Sequence, residues 1–484
     1  IAEVHNRYQL EFPLESGTLN LANSYFESEK KGEVELGEGD SLSLNFRHVL
    51  PNNQWVEQSY LIRGAGYLMD YSIRSSSGAG QYDKSLRFAW TNDMLQLEND
   101  MQENRKVVNV NYYTDELEDL GISADGTLEE TSKEPVKWFT IKHKYFLAGL
   151  IAKDAPFPAF TATSKVNPAD LEVVKTVNVE TAVPVSDIQK GKANFQYYFG
   201  PNDYHVVERV GAENFDQNVY LGYAFLKPIN KYFLVPLFNF LERFISNYGL
   251  LIICLVLIVK LILMPLTYKS YVSMAKMKVL SPEIEEIRNK YPEDMAKQQQ
   301  EQMKLYQQVG VSPLSGCIPV LATMPILLSL FFLFPNLIEL RQQSFLWAKD
   351  LSTYDAFLKF PFTIPFYGNH LSLFTVLMTV SSIGYAYYSN QMTPAQPGPI
   401  NMKYLSYVMP VMFMFFLNSF PAGLTFYYFV SNLVTIVQQL IIRRMVDDGK
   451  IREILDSNRR KFKEKPQKQS KFRDYIEKSL QAAE

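Results

Sequence analysis

The feature that most constrains this chain is the apolar run LIICLVLIVKLILMPL at Leu251–Leu266. A helix needs about 20 such residues to cross the hydrocarbon core of a bilayer, so the run is typical of a membrane span. Lys260 lies in the middle of it. A lysine at the bilayer centre costs about 2.5–3.5 kcal/mol, and less when its stem reaches toward the interface. Any fold for this chain therefore has to account for one cation inside a hydrocarbon segment.

Charge divides the 484 residues into an acidic half and a basic half. Residues 1–247 contain 23 Lys and Arg against 34 Asp and Glu, whereas residues 248–484 contain 25 against 17. Only the basic half has runs long enough to cross a bilayer, so the two halves are expected to lie in different surroundings. Cys254 and Cys317 lie in apolar runs, and the five histidines are scattered. We therefore predict no disulfide framework, no metal site and no cofactor.

Residues 1–228 are predicted to form an all-β sandwich. Segments such as SLSLNF (41–46) and EQSYLIRGAGYLMDYSIRS (57–75) alternate or are rich in β-branched and aromatic residues, and turn sequences such as PNN and NPAD separate them. Glu129 and Glu130 fall in a turn-like acidic stretch and are expected to be solvated. Because no catalytic motif stands out, no enzyme activity is predicted.

Residues 229–247, INKYFLVPLFNFLERFISN, have apolar side chains at helical spacing. This pattern favours an amphipathic helix that lies in the membrane interface just before the first span. The alternative is an ordinary helix packed on the sandwich.

Residues 248–446 are predicted to be a polytopic α-helical bundle with five spans, at residues 248–268, 314–337, 371–390, 404–419 and 423–443. Lys and Arg are concentrated in the connection 269–312 and in the basic tail 447–484, so both are expected to be cytoplasmic. Five crossings then place the sandwich outside the cytoplasm. A sixth, N-terminal hydrophobic anchor is expected to precede Ile1.

The connection 269–312 is predicted to be a helical hairpin. Ser281 and Pro282 give the start signal of its first helix, Pro292 starts its second, and Gly310 ends it. Its faces are mostly polar, which fits either a solvated spacer or a mobile contact module. The length of helix-forming sequence favours the contact module.

Two polar stripes accompany Lys260. The last span carries one row of polar residues at alternating spacings of three and four, and the third span carries another. With the two residues that flank it, the row on the last span comprises Thr425, Tyr428, Ser431, Asn432, Thr435, Gln438 and Gln439. The row on the third span comprises Thr375, Thr379 and Ser382. We interpret them, together with Lys260, as the lining of a shared groove that holds water. The alternatives are that the stripes only join helices and that Lys260 only snorkels.

Several segments of the basic half resemble the YidC family of membrane protein insertases. They are MPLTYKSYVSMAKMKVLSPEIEEIRNKYPED, VSPLSGCIPVLATMPILLSLFFLFPN and FPAGLTFYYFVSNLVTIVQQ, within 248–445. The first half is similar, more weakly, to the family's extracytoplasmic domain. The resemblance implies a hydrophilic groove open to the cytoplasm and the lipid, with a basic residue at Lys260. The family more usually has arginine there, and lysine keeps the charge but loses the planar fork.

The resemblance also implies a function: a membrane insertase and folding chaperone of the bacterial inner membrane, with its β domain in the periplasm. The implied partners are nascent membrane proteins, the lipid bilayer, the Sec translocon and, as a further candidate, the ribosome, but not DNA. The cytoplasmic hairpin is expected to receive the substrate first, through Met274, Met277, Ile284, Ile287, Tyr291, Met303 and Tyr306.

Three rival functions remain open at the level of sequence. A transporter or channel would use Lys260 for an anionic solute, but it predicts internal repeats or broken helices, and no convincing repeat is found. A membrane-bound enzyme would need a catalytic constellation in the β domain. An assembly scaffold overlaps with insertion rather than competing with it.

Overall fold

The structure is a computed structural model, and it describes residues 5–28, 32–121, 125–292, 294–312, 318–365, 367–391 and 402–464. The chain divides into two compact units, Ile1–Tyr220 and Leu221–Glu484. The predicted N-terminal anchor, Cys317, the start of the second span and the tail from residue 465 lie outside the described residues.

The first unit is built from two antiparallel sheets. One sheet has the strand order β10-β13-β14-β7-β1-β2 and the other β3-β4-β5-β6-β15-β12-β11-β8-β9. The strands are β1 Asn6–Leu14, β2 Gly17–Asn20, β3 Glu27–Ser28, β4 Ser41–Val49, β5 Trp55–Arg63, β6 Leu68–Ser75, β7 Ser85–Leu95, β8 Asn109–Tyr113, β9 Leu117–Asp119, β10 Gly126–Thr131, β11 Trp138–Lys142, β12 Phe146–Ala152, β13 Phe160–Val166, β14 Val173–Pro184 and β15 Asn194–Pro201.

The core of this unit lies between the sheets. In β14, side chains alternate between buried and half-buried positions, so every second residue faces the core. Trp90, Phe139 and Phe160 are buried there and lie within ring-contact distance of one another in pairs. Three short helices complete the unit: α1 Met101–Val107, α2 Val185–Gln189 and α3 Tyr204–Glu208. The predicted all-β sandwich is confirmed.

Two local predictions in this unit are wrong. The segment 57–75 is not one strand but the hairpin β5–β6, because the sequence GAGY between Arg63 and Leu68 turns the chain. Glu129 and Glu130 lie in strand β10 rather than in a turn. They are solvent-exposed there, on a strand at the edge of its sheet, where charged side chains discourage pairing with another chain.

The second unit is mainly helical. Its helices are α4 Lys227–Ile229, α5 Val235–Glu242, α6 Tyr248–Val279, α7 Ser281–Lys290, α8 Met295–Gln308, α9 Ile318–Leu333, α10 Leu373–Asn390, α11 Met402–Leu417, α12 Ala422–Met445 and α13 Asp448–Glu464, and it also contains the antiparallel strands β16 Ala356–Ile364 and β17 Gly368–Ser372. A π-helical turn, Asn230–Leu234, leads into α5.

Within the described part of the chain, α6 and α12 are long and apolar enough to cross a membrane, and the apolar helices Leu321–Asn336 and Lys403–Leu417 are shorter. The predicted span 248–268 is only the first part of α6, which continues without interruption to Val279. The sandwich followed by a helical region is confirmed, whereas the number of five spans stays a prediction.

The helical stretch that corresponds to the predicted helix at 229–247 runs from Lys227 through the π-helical turn to Glu242, so it ends five residues earlier than predicted. Helix α5 covers Val235–Glu242 and buries Val235, Phe238 and Leu241. The ring of Phe238 stacks on Tyr248 at the start of α6, with 6.2 Å between centroids. Phe240 and Phe244 are exposed and leave an apolar face on the opposite side.

The helical hairpin at 269–312 differs from its prediction at the second helix. Helix α7 begins at Ser281 as predicted, but α8 begins at Met295 rather than at Pro292. The side chain of Asp294 accepts a hydrogen bond from the backbone N–H of Lys297 and so caps α8. The predicted start at Pro292 is therefore three residues too early, and Asp294 precedes the helix as its cap.

Candidate functional site

Helix α12 is the centre of the polar region, because it contacts both α6 and α10. Asn432 joins α12 to α10: its Nδ2 donates to Ser382 Oγ at 2.7 Å and to Ser381 Oγ at 3.1 Å. Ser381 was not among the predicted residues, although it is adjacent to the predicted Ser382. The spacing of the α10 stripe selects Ser382 and leaves out Ser381, which lies about 100° further around the helix, but Asn432 reaches both hydroxyls.

Lys260 lies on α6 beside α12. The Nε2 of Gln438 donates to the backbone carbonyl of Lys260 at 3.3 Å, which fixes the two helices at this level. The Lys260 side chain is half-buried, and it forms no ion pair with any residue that the structure describes. Gln439 is half-buried next to Gln438. A partly exposed cation thus lies next to uncharged polar groups on the neighbouring helix.

Other hydroxyl groups of the two stripes bond to helix carbonyls. Thr379 Oγ1 donates to Thr375 O at 2.8 Å, and Thr435 Oγ1 donates to Ser431 O at 2.7 Å. The Thr425 hydroxyl donates to Ala422 O at 3.2 Å and is fully buried. These groups are satisfied within the protein, as bonds to a preceding turn of the helix permit.

The predicted residues therefore form two groups. Thr375, Thr379, Thr425 and Ser431 are buried, near the ends of α10 and α12 that follow the β16–β17 hairpin and the 418–421 turn. The half-buried group is Lys260, Tyr428, Asn432, Thr435, Gln438, Gln439 and Ser382. The hydroxyl of Tyr428 reaches α9 and donates to Leu327 O at 3.4 Å. Only the half-buried group offers polar atoms to something outside the helices.

Sequence reasoning missed a buried polar cluster at the start of α10. The carboxylate of Asp355 accepts hydrogen bonds from Trp347 Nε1 at 2.8 Å, from the Phe374 N–H at 3.0 Å and from the hydroxyl of Ser372. Asn418 binds the same region, with its Nδ2 donating to Tyr367 O and His370 O. The cluster ties the β16–β17 hairpin to the helix ends, and its members are far apart in sequence.

Most of the predicted hairpin residues form part of one apolar cluster. Met277, Ile284 and Tyr306 are buried in it, and Met274 and Ile287 pack against it. Tyr291 is half-buried between the ammonium groups of Lys290 and Lys297, which lie 5.6 and 5.3 Å from its ring centroid. Met303 is exposed and faces away from the cluster. The described residues contain no group of three or more side chains suited to bind a metal ion.

Comparisons with known proteins cover both units. A family model described as the 60Kd inner membrane protein matches residues 240–449, and a model described as the YidC periplasmic domain matches residues 4–235. A protein of Amoebophilus asiaticus, named membrane protein insertase YidC, is 44% identical over 413 residues, which are 84% of this chain and 68% of that protein.

A protein of the same name from Cytophaga hutchinsonii is 43% identical over 439 residues, 88% of this chain and 70% of its own length. A crystal structure of an active YidC insertase with its first transmembrane domain resolved covers 88% of this chain and 82% of that one, at 20% identity and a TM-score of 0.36.

Proposed function

Because this chain belongs to the YidC family of membrane protein insertases, we propose that it moves apolar segments of nascent proteins from the cytoplasm into the bilayer. It acts as an insertase and folding chaperone, without a covalent step and without a cofactor. Burial of the client's apolar surface in lipid supplies the driving force.

The proposal includes five spans, formed by α6, α9, α10, α11 and α12, in the bacterial inner membrane. Among the connections between the spans and the tail, Lys and Arg are concentrated in the hairpin 269–312 and the tail 447–484, so these segments lie in the cytoplasm and the β domain in the periplasm. The predicted span 404–419 is short, and its helix α11 covers Met402–Leu417 of the described residues, which favours local thinning of the bilayer around it.

The observation that carries the mechanism is the half-buried Lys260 with no ion-pair partner among the described residues, next to Gln438 and Gln439. An unpaired cation among uncharged polar groups attracts an acidic or polar flank of a client and holds it transiently. Such a groove shortens the roughly 30 Å of hydrocarbon that the flank has to cross. The client's apolar segment then leaves sideways into lipid, along α9 and α12.

The partners follow from the same proposal. Clients are nascent membrane proteins, and the bilayer accepts them. We propose the Sec translocon as a second partner on the basis of family membership. Ribosome contact through the basic tail is a weaker proposal, because that tail also carries acidic residues.

The test is insertion of a small single-span protein with an acidic flank into vesicles that hold the full chain. Lys260→Arg is expected to insert the client as the unsubstituted chain does, and Lys260→Leu is expected to lose insertion. Lys269→Leu is the matched control, because Lys269 lies on the same helix but is exposed beyond the apolar run.

If Lys260→Leu inserts the client normally, Lys260 is a snorkelling residue and the groove mechanism is wrong. If the unsubstituted chain inserts no more than empty vesicles do, the proposed function itself is wrong for this chain.

A further inference from the structure

Helix α13 covers the apolar face of the cytoplasmic hairpin. Ile451 and Leu455 are 3% and 4% exposed and pack into the same cluster as Met277, Ile284 and Tyr306. The two α13 residues are four positions apart, so they project from one face of the helix. The surface formed by the end of α6, by α7 and by α8 therefore has the form of a groove that holds one amphipathic helix.

Polar contacts fix the far end of α13 in this groove. Arg459 Nη2 donates to both carboxylate oxygens of Glu283, at 2.9 and 2.7 Å. Asn458 Nδ2 donates to Val309 O at 3.0 Å. A side chain at Gly310 would place its Cβ only 3.3 Å from Asn458 Nδ2, so the glycine leaves room for this contact. The groove thus binds two apolar side chains, Ile451 and Leu455, and the cationic side chain of Arg459, four residues after Leu455.

The contact is suited to exchange. Apart from Ile451 and Leu455, the α13 side chains that the structure describes are half-buried or exposed, and Ile454 is 45% exposed. The ion pair with Glu283 is partly exposed, and such pairs are worth little. A 17-residue helix of this kind is marginal on its own in water, so α13 depends on the groove for its order.

We propose that the groove is a docking site for the cytoplasmic end of a client's apolar helix, and that α13 occupies it until a client displaces it. The client is an apolar helical segment followed by basic residues, whose cation replaces Arg459 on Glu283. Apolar helices of membrane proteins carry this pattern at their cytoplasmic ends, because basic residues stay on that side. The inference rests on the proposed function and on the expected role of the hairpin in receiving the client, and it adds the displacement of α13 and the role of Glu283.

The experiment measures binding of two labelled synthetic helical peptides to the full chain in lipid nanodiscs. The peptides share one apolar segment and differ only in an Arg or a Glu flank. Leu455→Ala weakens α13, so the Arg peptide is expected to bind about tenfold more tightly, because more of the protein has an open groove. Ile454→Ala is the matched control and leaves binding unchanged.

Charge reversal tests the specificity. Glu283→Arg is expected to lose the preference for the Arg peptide and to prefer the Glu peptide. Adding Arg459→Glu to Glu283→Arg restores the internal ion pair with opposite sign, so it lowers binding of the Glu peptide again and shows that the variant folds.

If the Arg peptide binds the unsubstituted chain and Leu455→Ala with equal affinity, α13 and the client do not compete for the groove, and the proposal is wrong. A flank preference that survives Glu283→Arg overturns the role of Glu283. Insertion into vesicles by the unsubstituted chain is measured in parallel, so that a failure of the groove and a failure of the proposed insertase function are told apart.

Discussion

Replacing Asn432 tests whether this residue only joins helices α10 and α12 or also contacts a client in the proposed groove. Its Nδ2 donates to Ser382 Oγ at 2.7 Å and to Ser381 Oγ at 3.1 Å. Hydrogen bonds between helices in a membrane are worth about 0.6 kcal/mol on average and at most about 1.7 kcal/mol. Both serines also donate to Met378 O at 2.8 Å, so Asn432→Leu leaves neither hydroxyl without an acceptor. We expect Asn432→Leu to lower the free energy of unfolding by about 1 kcal/mol.

The assay is unfolding of the full chain in mixed micelles, combined with a double-mutant cycle between Asn432→Leu and Ser382→Ala. Thr435→Val is the control, since that hydroxyl bonds only to its own helix, at Ser431 O. A loss of about 1 kcal/mol leaves nearly all of a protein of ordinary stability folded, so a residue that only joins helices changes insertion little. A large fall in insertion with an intact fold indicates that Asn432 contacts the client. A coupling energy near zero would refute the hydrogen-bond reasoning.

Three further predictions concern stability. Asp355→Ala removes the acceptor of three described donors and is expected to cost roughly 3 kcal/mol, measured by the thermal midpoint of the full chain. Burial lowers the pKa of Lys175 to about 8, and its Nζ donates to Val108 O. Between that pKa and the ordinary lysine value, the unfolded chain binds more protons at this residue than the folded chain does, so the free energy of unfolding rises with pH. Denaturant melts from about pH 7 to 10 are expected to show a rise of up to about 3 kcal/mol that the Lys175→Met variant lacks. A Cβ at Gly249 would overlap the ring of Phe345, so Gly249→Val is expected to cost about 3 kcal/mol, whereas Gly39→Ala, with open space around it, is expected to be neutral in the same melts.

The sequence predicts elements whose signal is local. The apolar run around Lys260 predicts α6, and the alternation in VVKTVNVETAVP predicts the long strand β14. The β16–β17 hairpin escaped prediction because KFPFTIPF contains two prolines, which argue against a strand, and the structure accepts them in an isolated two-stranded hairpin. The length of α6 was underestimated because polar residues after Leu266 were assigned to a loop.

The candidate site depends on contacts that no local pattern contains. The spacing of Ile451 and Leu455 is visible in the sequence, but the groove that they fill is formed by residues more than a hundred positions earlier. The same holds for Asp355 and Asn418, which meet around the start of α10. Hydrophobic periodicity gives the face of a helix that is buried, and it leaves the partner of that face undetermined.

Helix α6 connects the two parts of the proposed mechanism, because it carries Lys260 in its apolar half and Tyr271, Ala275 and Met277 in the cytoplasmic cluster. Its 32 residues extend about 48 Å, which exceeds the roughly 30 Å of hydrocarbon, so in the proposed topology its last dozen residues project from the membrane. Pro265 lies between the two parts and cannot donate a backbone hydrogen bond to the preceding turn. The helix bends there at the least cost. We therefore expect that, in the proposed mechanism, exchange of α13 for a client tilts the hairpin about Pro265.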